Sequence, residues 1–358
     1  MSGFRAFLKR KNIEISLRRY GIDALGAMAQ GLFCSLLIGT ILNTLGSQTG
    51  VAIFSTVGGY ATAVSGPAMA VAIGYALKCP PLVLFSMVPV GWAANALGGS
   101  AGGPLAVFVI AIVAAEVGKM VSKETPVDVL VTPLVTIFAG VALAALIAPP
   151  IGAGANYVGA LIKRATVLQP FWMGIIVSAS VGIALTLPIS SAAICHSFNL
   201  VGLAGGAAVA GCCANMVGFA VMSFRENRWG GLVSQGLGTS MLQMGNIVKN
   251  PRIWLPAILT SMITGPIATC VFKLEMNGAA INSGMGTCGL CGPIGVWTGW
   301  VNPSDVALAD GAAVIAPGAT DWLGLALVCF VLPAVICWAL GLFFRRIGWI
   351  REGDLKLD

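Results

Sequence analysis

The stretch 24-ALGAMAQGLFCSLLIGTILNTLGSQTGVAIFSTVGGYATAVSGPAMAVAIGYAL-77 contains no charged residue. A helix crosses the hydrocarbon core of a bilayer in about 20 residues, so this run has room for two crossings. Seven more charge-free runs follow, at 79–115, 129–162, 165–224, 229–248, 253–272, 276–304 and 322–344. Gly and Pro divide the longer ones. Apolar elements are expected near 24–45, 51–77, 82–99, 104–121, 127–148, 171–195, 199–224, 232–248, 253–272 and 322–344. The reading is an all-α polytopic membrane protein of 8–10 transmembrane helices, with two or more broken or re-entrant segments.

Composition agrees. Of 358 residues, 57% are hydrophobic and only 9% charged, and the mean hydropathy is +0.92. A soluble domain carries roughly 25% charged residues. A soluble enzyme, a nucleic-acid binder and a disordered chain are excluded. The net charge of +7 is concentrated at the ends. Arg5, Lys9, Arg10, Lys11, Arg18 and Arg19 precede the first apolar run, and Arg345, Arg346, Arg351 and Lys356 follow the last. Basic residues beside a span mark the cytoplasmic side. Both termini are therefore expected in the cytoplasm, which requires an even number of crossings of the inner (plasma) membrane.

Element starts at 24, 51, 82 and 104 recur at 171, 199, 232 and 253. This spacing predicts an internal two-fold repeat. The expected organisation is a basic cytoplasmic segment 1–23, a first membrane repeat 24–148 and a connector 149–170. A second repeat, 171–344, includes the Gly-rich segment 276–321, and a cytoplasmic tail spans 345–358. The third element of each half is unusual. Both 80-PPLVLFSMVPVGWAANALGGSAGGP-104 and 230-GGLVSQGLGTSMLQMGNIVKNP-251 are interrupted by Gly or Pro and carry amides: Asn95, Gln243 and Asn246. Irregular backbone at membrane depth survives only inside protein or along a cavity. Paired broken segments in two repeats are a pointer to a transport site.

Ionisable groups inside apolar runs are functional candidates. Glu116 and Lys119 are spaced i,i+3 and can pair on a helix. They are candidates for coupling or gating, as is His196, the single histidine. Glu275 leads into 277-NGAAINSGMGTCGLCGPIGVWTGW-300, which does not read as a regular apolar helix. Its amides, hydroxyls and two Trp suit a hydroxyl-rich ligand. Cys288 and Cys291 form a C-x-x-C, but no second pair follows to complete a zinc site. Most of the ten cysteines lie in apolar runs and are read as packing. No metal, cofactor or catalytic residue is expected.

The segments 102-GGPLAVFVIAIVAAEVGKMVSKETPVDVLVTP-133, 236-GLGTSMLQMGNIVKNPRIWLPAILTSMITGPIATCVFKLE-275 and 284-GMGTCG-289 resemble a known family. It is the stand-alone, enzyme IIC-like branch of the phosphotransferase-system sugar permeases, which includes perfringolysin-regulator-type proteins. Gly245 departs from it, standing where this branch carries Pro. The resemblance implies a dimeric carrier that binds a sugar, which a IIB-type phosphocarrier phosphorylates in trans. It also implies a Glu, and often a His, on the sugar hydroxyls. Glu275 matches the Glu by position, and His196 is the candidate for the other.

The expected function is a permease for a sugar or similar small polar solute. Asn95, Gln243, Asn246, Glu275, Gly284, Gly286 and Thr287 are its expected binding residues. The expected partners are the solute, the IIB-type protein, the lipid bilayer and a second copy of the chain, with no nucleic acid. Rival readings are an ion- or proton-coupled transporter or channel, and a non-transporting membrane sensor or regulator.

Overall fold

A computed structural model describes residues 2–357. Among them every regular element is a helix, with one isolated antiparallel bridge between Gly202 and Met276. The chain forms two compact units, one ending at Gly154 and the other beginning at Ala155.

The first unit starts with α1 (Ser2–Arg10), followed by α2 (Arg19–Thr49), long and apolar enough to span. Next come α3 (Ala52–Ala63) and α4 (Ser65–Ala76), bent by 51° at Val64. The bend has a local cause. Pro67 near the start of α4 has no N–H to give the preceding turn, and it disfavours helical backbone at the residue before it. α5 (Pro81–Leu97) is shorter, α6 (Gly99–Val121) spans, and α7 begins at Asp128.

The sequence places the interruption of this half within 80–104. The structure breaks inside that range, at Gly98–Gly99, where Gly99 has a φ of +70°, while Pro89 sits within an unbroken α5. α4 and α5 touch backbone to backbone. A Cβ on Gly66 would lie 2.5 Å from the Gly91 carbonyl oxygen. Small residues at such crossings are how helices associate in lipid, where the hydrophobic effect cannot drive them together.

α7 (Asp128–Ala165) has 38 residues, about 57 Å at 1.5 Å per residue. That exceeds the roughly 30 Å hydrocarbon core. The expected connector is thus helical as far as Ala165, through Pro149 and Pro150. Leu130, Leu134, Phe138 and Leu146 are exposed along α7, an apolar outer face that suits lipid rather than water.

In the second unit, α8 (Pro170–Thr186), α10 (Gly202–Met222) and α13 (Pro251–Val271) form the packed centre. The short α9 (Ser191–Ser197) lies between α8 and α10 in the chain. α11 (Phe224–Val233) leads into the broken segment. There Ser234–Gly238 is a π turn, Ser240–Gln243 a 3-10 turn, and α12 (Met244–Lys249) a short helix. The sequence expectation of an interrupted element is met here. The Gly-rich region holds α14 (Cys291–Val301) and α15 (Asp305–Ala309). α14 departs from the reading of 277–300 as irregular. Its composition hides the helix, because its glycines replace an apolar stripe with close backbone contacts. α16 (Ala319–Arg346) is the last span.

Among the described residues six helices are therefore long and apolar enough to cross a membrane, or seven with the bent pair. The fold is that of a multi-pass helical membrane protein.

Candidate functional site

A polar cavity of the second unit forms where α13 ends. Lys273, with a φ of +47°, stops the helix, and residues 274–277 follow it outside any helix. Met276 exchanges both backbone hydrogen bonds with Gly202, at 3.0 and 3.1 Å, and Leu274 N–H donates to the Ala268 carbonyl at 2.8 Å. Alternation then sorts the side chains. Leu274 and Met276 are buried, whereas Lys273 and Glu275 are exposed. The approach to α10 requires glycine: a Cβ on Gly206 would fall 1.7 Å from the Leu274 carbonyl oxygen.

Glu275 and Asn277 line a cavity of about 210 Å³. Asn277 Nδ2 donates to Glu275 Oε2 at 2.9 Å, which fixes the carboxylate and leaves its second oxygen free to accept from a ligand. Trp300 forms part of the wall, is buried, and meets Trp322 edge to face at 5.2 Å. Lys273 and Asp321 complete the charged lining. Asp321 Oδ2 accepts from Gly318 N–H at 2.8 Å, capping the start of α16. A volume equal to several waters, lined by two carboxylates, one ammonium, one amide and one indole wall, fits a small hydroxylated solute better than a large apolar one.

The other expected residues lie elsewhere. Gln243 and Asn246 are buried in an amide chain. Gln243 Nε2 donates to Gln235 Oε1 and to the Leu355 carbonyl, both at 2.9 Å. Asn246 Nδ2 donates to Gln243 Oε1 and to the Lys356 carbonyl, both at 2.8 Å. Their partners are the broken segment and the C-terminal tail. Gly284, Gly286 and Thr287 pack against neighbouring backbone. Ser191 Oγ donates to the Gly284 carbonyl at 2.8 Å, and Thr287 Oγ1 to the Gly236 carbonyl at 2.5 Å. Gly286, with a φ of +53°, sits on Cys212 and Cys213. His196 is exposed in the last turn of α9.

In the first unit, Asn95 is half-buried and packs on Gly66 and Gly103. Glu116 and Lys119 pair at 2.7 Å and are both buried. Tyr20 donates its hydroxyl hydrogen bond to Glu116 at 3.1 Å. Lys119 also donates to the Asn12 and Leu77 carbonyls, at 3.0 and 3.2 Å.

Sequence reasoning passed over Asn277, although the i,i+2 spacing from Glu275 places both on one face of an extended segment. It also passed over a buried polar cluster at the centre of the second unit. There Asn215 Nδ2 donates to Ser261 Oγ at 3.1 Å, and Asn215 Oδ1 accepts from Trp254 Nε1 at 3.1 Å. An amide inside the Gly/Ala-rich run of α10 was the available signal.

The fold defines a multi-pass helical membrane protein. The chain belongs to the phosphotransferase system EIIC family, whose profile matches residues 22–357. No curated protein and no solved structure matches it. Membership makes the chain the membrane component of a sugar permease in the inner membrane, with a sugar substrate and a phosphotransferase partner in trans.

Proposed function

We propose that the chain binds its sugar, or a similar small polar solute, in the cavity over residues 273–277 and carries it across the membrane. Glu275 accepts from the hydroxyls, Asn277 holds that carboxylate, and Trp300 covers an apolar ring face. The observation that carries this reading is the Glu275–Asn277 pair on a solute-sized cavity walled by a buried Trp. Gln243, Asn246 and the 284–289 backbone shape the surrounding segments, and Asn95 belongs to the helix packing of the first unit. Glu116 and Lys119 act as a lock within that unit, and His196 is free to meet a partner or solute at the surface. The carrier works as a homodimer with both termini in the cytoplasm, where a IIB-type phosphocarrier meets the incoming sugar.

The test compares wild type with Glu275→Gln, first by thermal shift against a panel of hexoses, disaccharides and polyols, then by uptake into cells. A sugar at about 100 times its Kd stabilises by roughly 2.7 kcal/mol. The expected result is a sugar-class shift that Glu275→Gln abolishes, together with uptake. Binding and uptake unchanged in Glu275→Gln would overturn the site. Binding without uptake in wild type would make the chain a sensor rather than a carrier.

A further inference from the structure

A second cavity, built wholly from the first unit, has chemistry of the opposite sign. It measures about 340 Å³, and Arg10, Lys11, Lys78, Lys119 and Lys123 line it with Glu124 as the one carboxylate. The ends of three helices meet there: α1 at Arg10, α4 at Ala76 and α6 at Val121. Helix C-termini leave carbonyls unsatisfied and attract cations, so some of this charge is structural. Lys11 donates to the Ser122 carbonyl. Lys119 donates to the Leu77 carbonyl at 3.2 Å and pairs with Glu116. Arg10 and Lys11 both pair with Glu124. The hydrogen bond from Lys11 holds the Glu124 carboxyl below its ordinary value, so this acid is ionised and already engaged.

Two observations are left over. Lys78 and Lys123 are exposed and make no ion pair among the described residues. Each sits at a left-handed φ, +57° and +61°, a conformation that favours Gly or Asn. Ser122 lines the same cavity, is 4% exposed, and its Oγ has no hydrogen-bond partner. A buried hydroxyl without a partner is uncommon in a folded protein. Two ammonium groups outside any ion pair and an unpartnered hydroxyl around one solute-sized space are the elements from which an anion site is built. Tetrahedral oxyanions use such a set of separated point-charge and hydroxyl donors.

We propose that this cavity binds a phosphate group, carried either by a small phosphate ester or by an anionic phospholipid headgroup. Lys78 and Lys123 supply the charge and Ser122 a hydroxyl hydrogen bond. The cavity lies next to the basic N-terminal segment, on the face that the positive-inside rule assigns to the cytoplasm. Both sources of phosphate are available there.

The experiment uses the full chain, with thermal unfolding as readout. In neutral detergent, low-millimolar inorganic phosphate is compared with chloride at equal ionic strength. In nanodiscs, phosphatidylglycerol is compared with phosphatidylcholine. Phosphate at high concentration stabilises many proteins by exclusion, so the deciding quantity is the difference between variants. Lys78→Gln/Lys123→Gln is set against a charge-matched control, Lys163→Gln/Arg351→Gln.

A Tm increase of a few degrees with inorganic phosphate, lost in the first double variant and kept in the control, supports the site and makes the source a soluble phosphate. The same pattern with phosphatidylglycerol alone supports the site and makes the source the lipid headgroup. Absence of both responses, or responses equal in the two double variants, overturns the proposal. If the first double variant does not fold, Ser122→Ala decides. A diminished response supports the site, and an unchanged one overturns it.

Discussion

Glu116 and Lys119 show what one ion pair does when the surrounding solvent is lipid and protein. The pair is buried, at 9% and 2% exposed, and desolvating two charges can cost as much as their attraction returns. Its stabilising role therefore appears when it is broken. Glu116→Gln leaves the Lys119 ammonium with only the Asn12 and Leu77 carbonyls and takes the charged acceptor from Tyr20. The expected cost is about 3–5 kcal/mol, read by denaturant unfolding in mixed micelles. Glu116→Gln/Lys119→Met removes both charges and should recover most of that loss. Equal loss in the single and double variants would mean that the pair is not the seat of the effect. The pair itself was legible, because i,i+3 spacing on an apolar helix permits little else. Its ring of partners was not. Asn12, Arg19, Tyr20 and Leu77 are distant in sequence, and only the packing of α2 and α4 on α6 brings them together.

The broken segment of the second unit is held by something the sequence does not advertise. Interruption was readable from Gly236, Gly238 and Gly245, and an amide-rich break invites a reading as a ligand site. In the structure the amides face the chain's own tail. Asn227 Nδ2 and Gln243 Nε2 both donate to the Leu355 carbonyl, at 2.7 and 2.9 Å, and Leu357 N–H donates to Asn227 Oδ1 at 2.8 Å. Leu355 is fully buried. The tail expected in the cytoplasm thus closes the hydrogen-bond account of a segment that could not close it alone. Gln243→Ala should orphan the buried Gln235 Oε1 and cost about 1–3 kcal/mol. Removal of residues 355–358 should raise amide hydrogen exchange across 234–249, because local opening is cheapest where partners are missing. Unchanged protection of 234–249 in the truncated chain would show that the tail only rests on this segment. Charge and polarity gave no hint of this contact, because backbone carbonyls are the same in every residue.

At the scale of the whole molecule the number of crossings was the least legible property, and the structure sharpens the question. Six spans, the bent pair and the two shorter apolar helices α5 and α8 make nine candidate crossings among the described residues. The broken segment 232–248 is the tenth. If α5 crosses and the broken segment does not, the count is odd and the termini lie on opposite sides. The twenty basic residues would then divide evenly, with Lys249, Arg252 and the four tail cations outside. That contradicts the positive-inside rule. If all ten cross, only Lys163, Arg164, Arg225, Arg228 and Lys273 lie outside. The rule therefore ties the two irregular elements together: both cross or neither does, although one is an intact helix and the other is broken. Glu352 is exposed in the tail and can report the outcome. Cys34 and Cys270, the two exposed cysteines, are first replaced by Ser, and Glu352→Cys is introduced. The expected result is labelling by a membrane-impermeant maleimide only after the cells are permeabilised. Labelling in intact cells would place the tail outside and require an odd number of crossings. It would remove the cytoplasmic assignment of the C-terminus, while leaving the cavity at Glu275 and its chemistry as they stand.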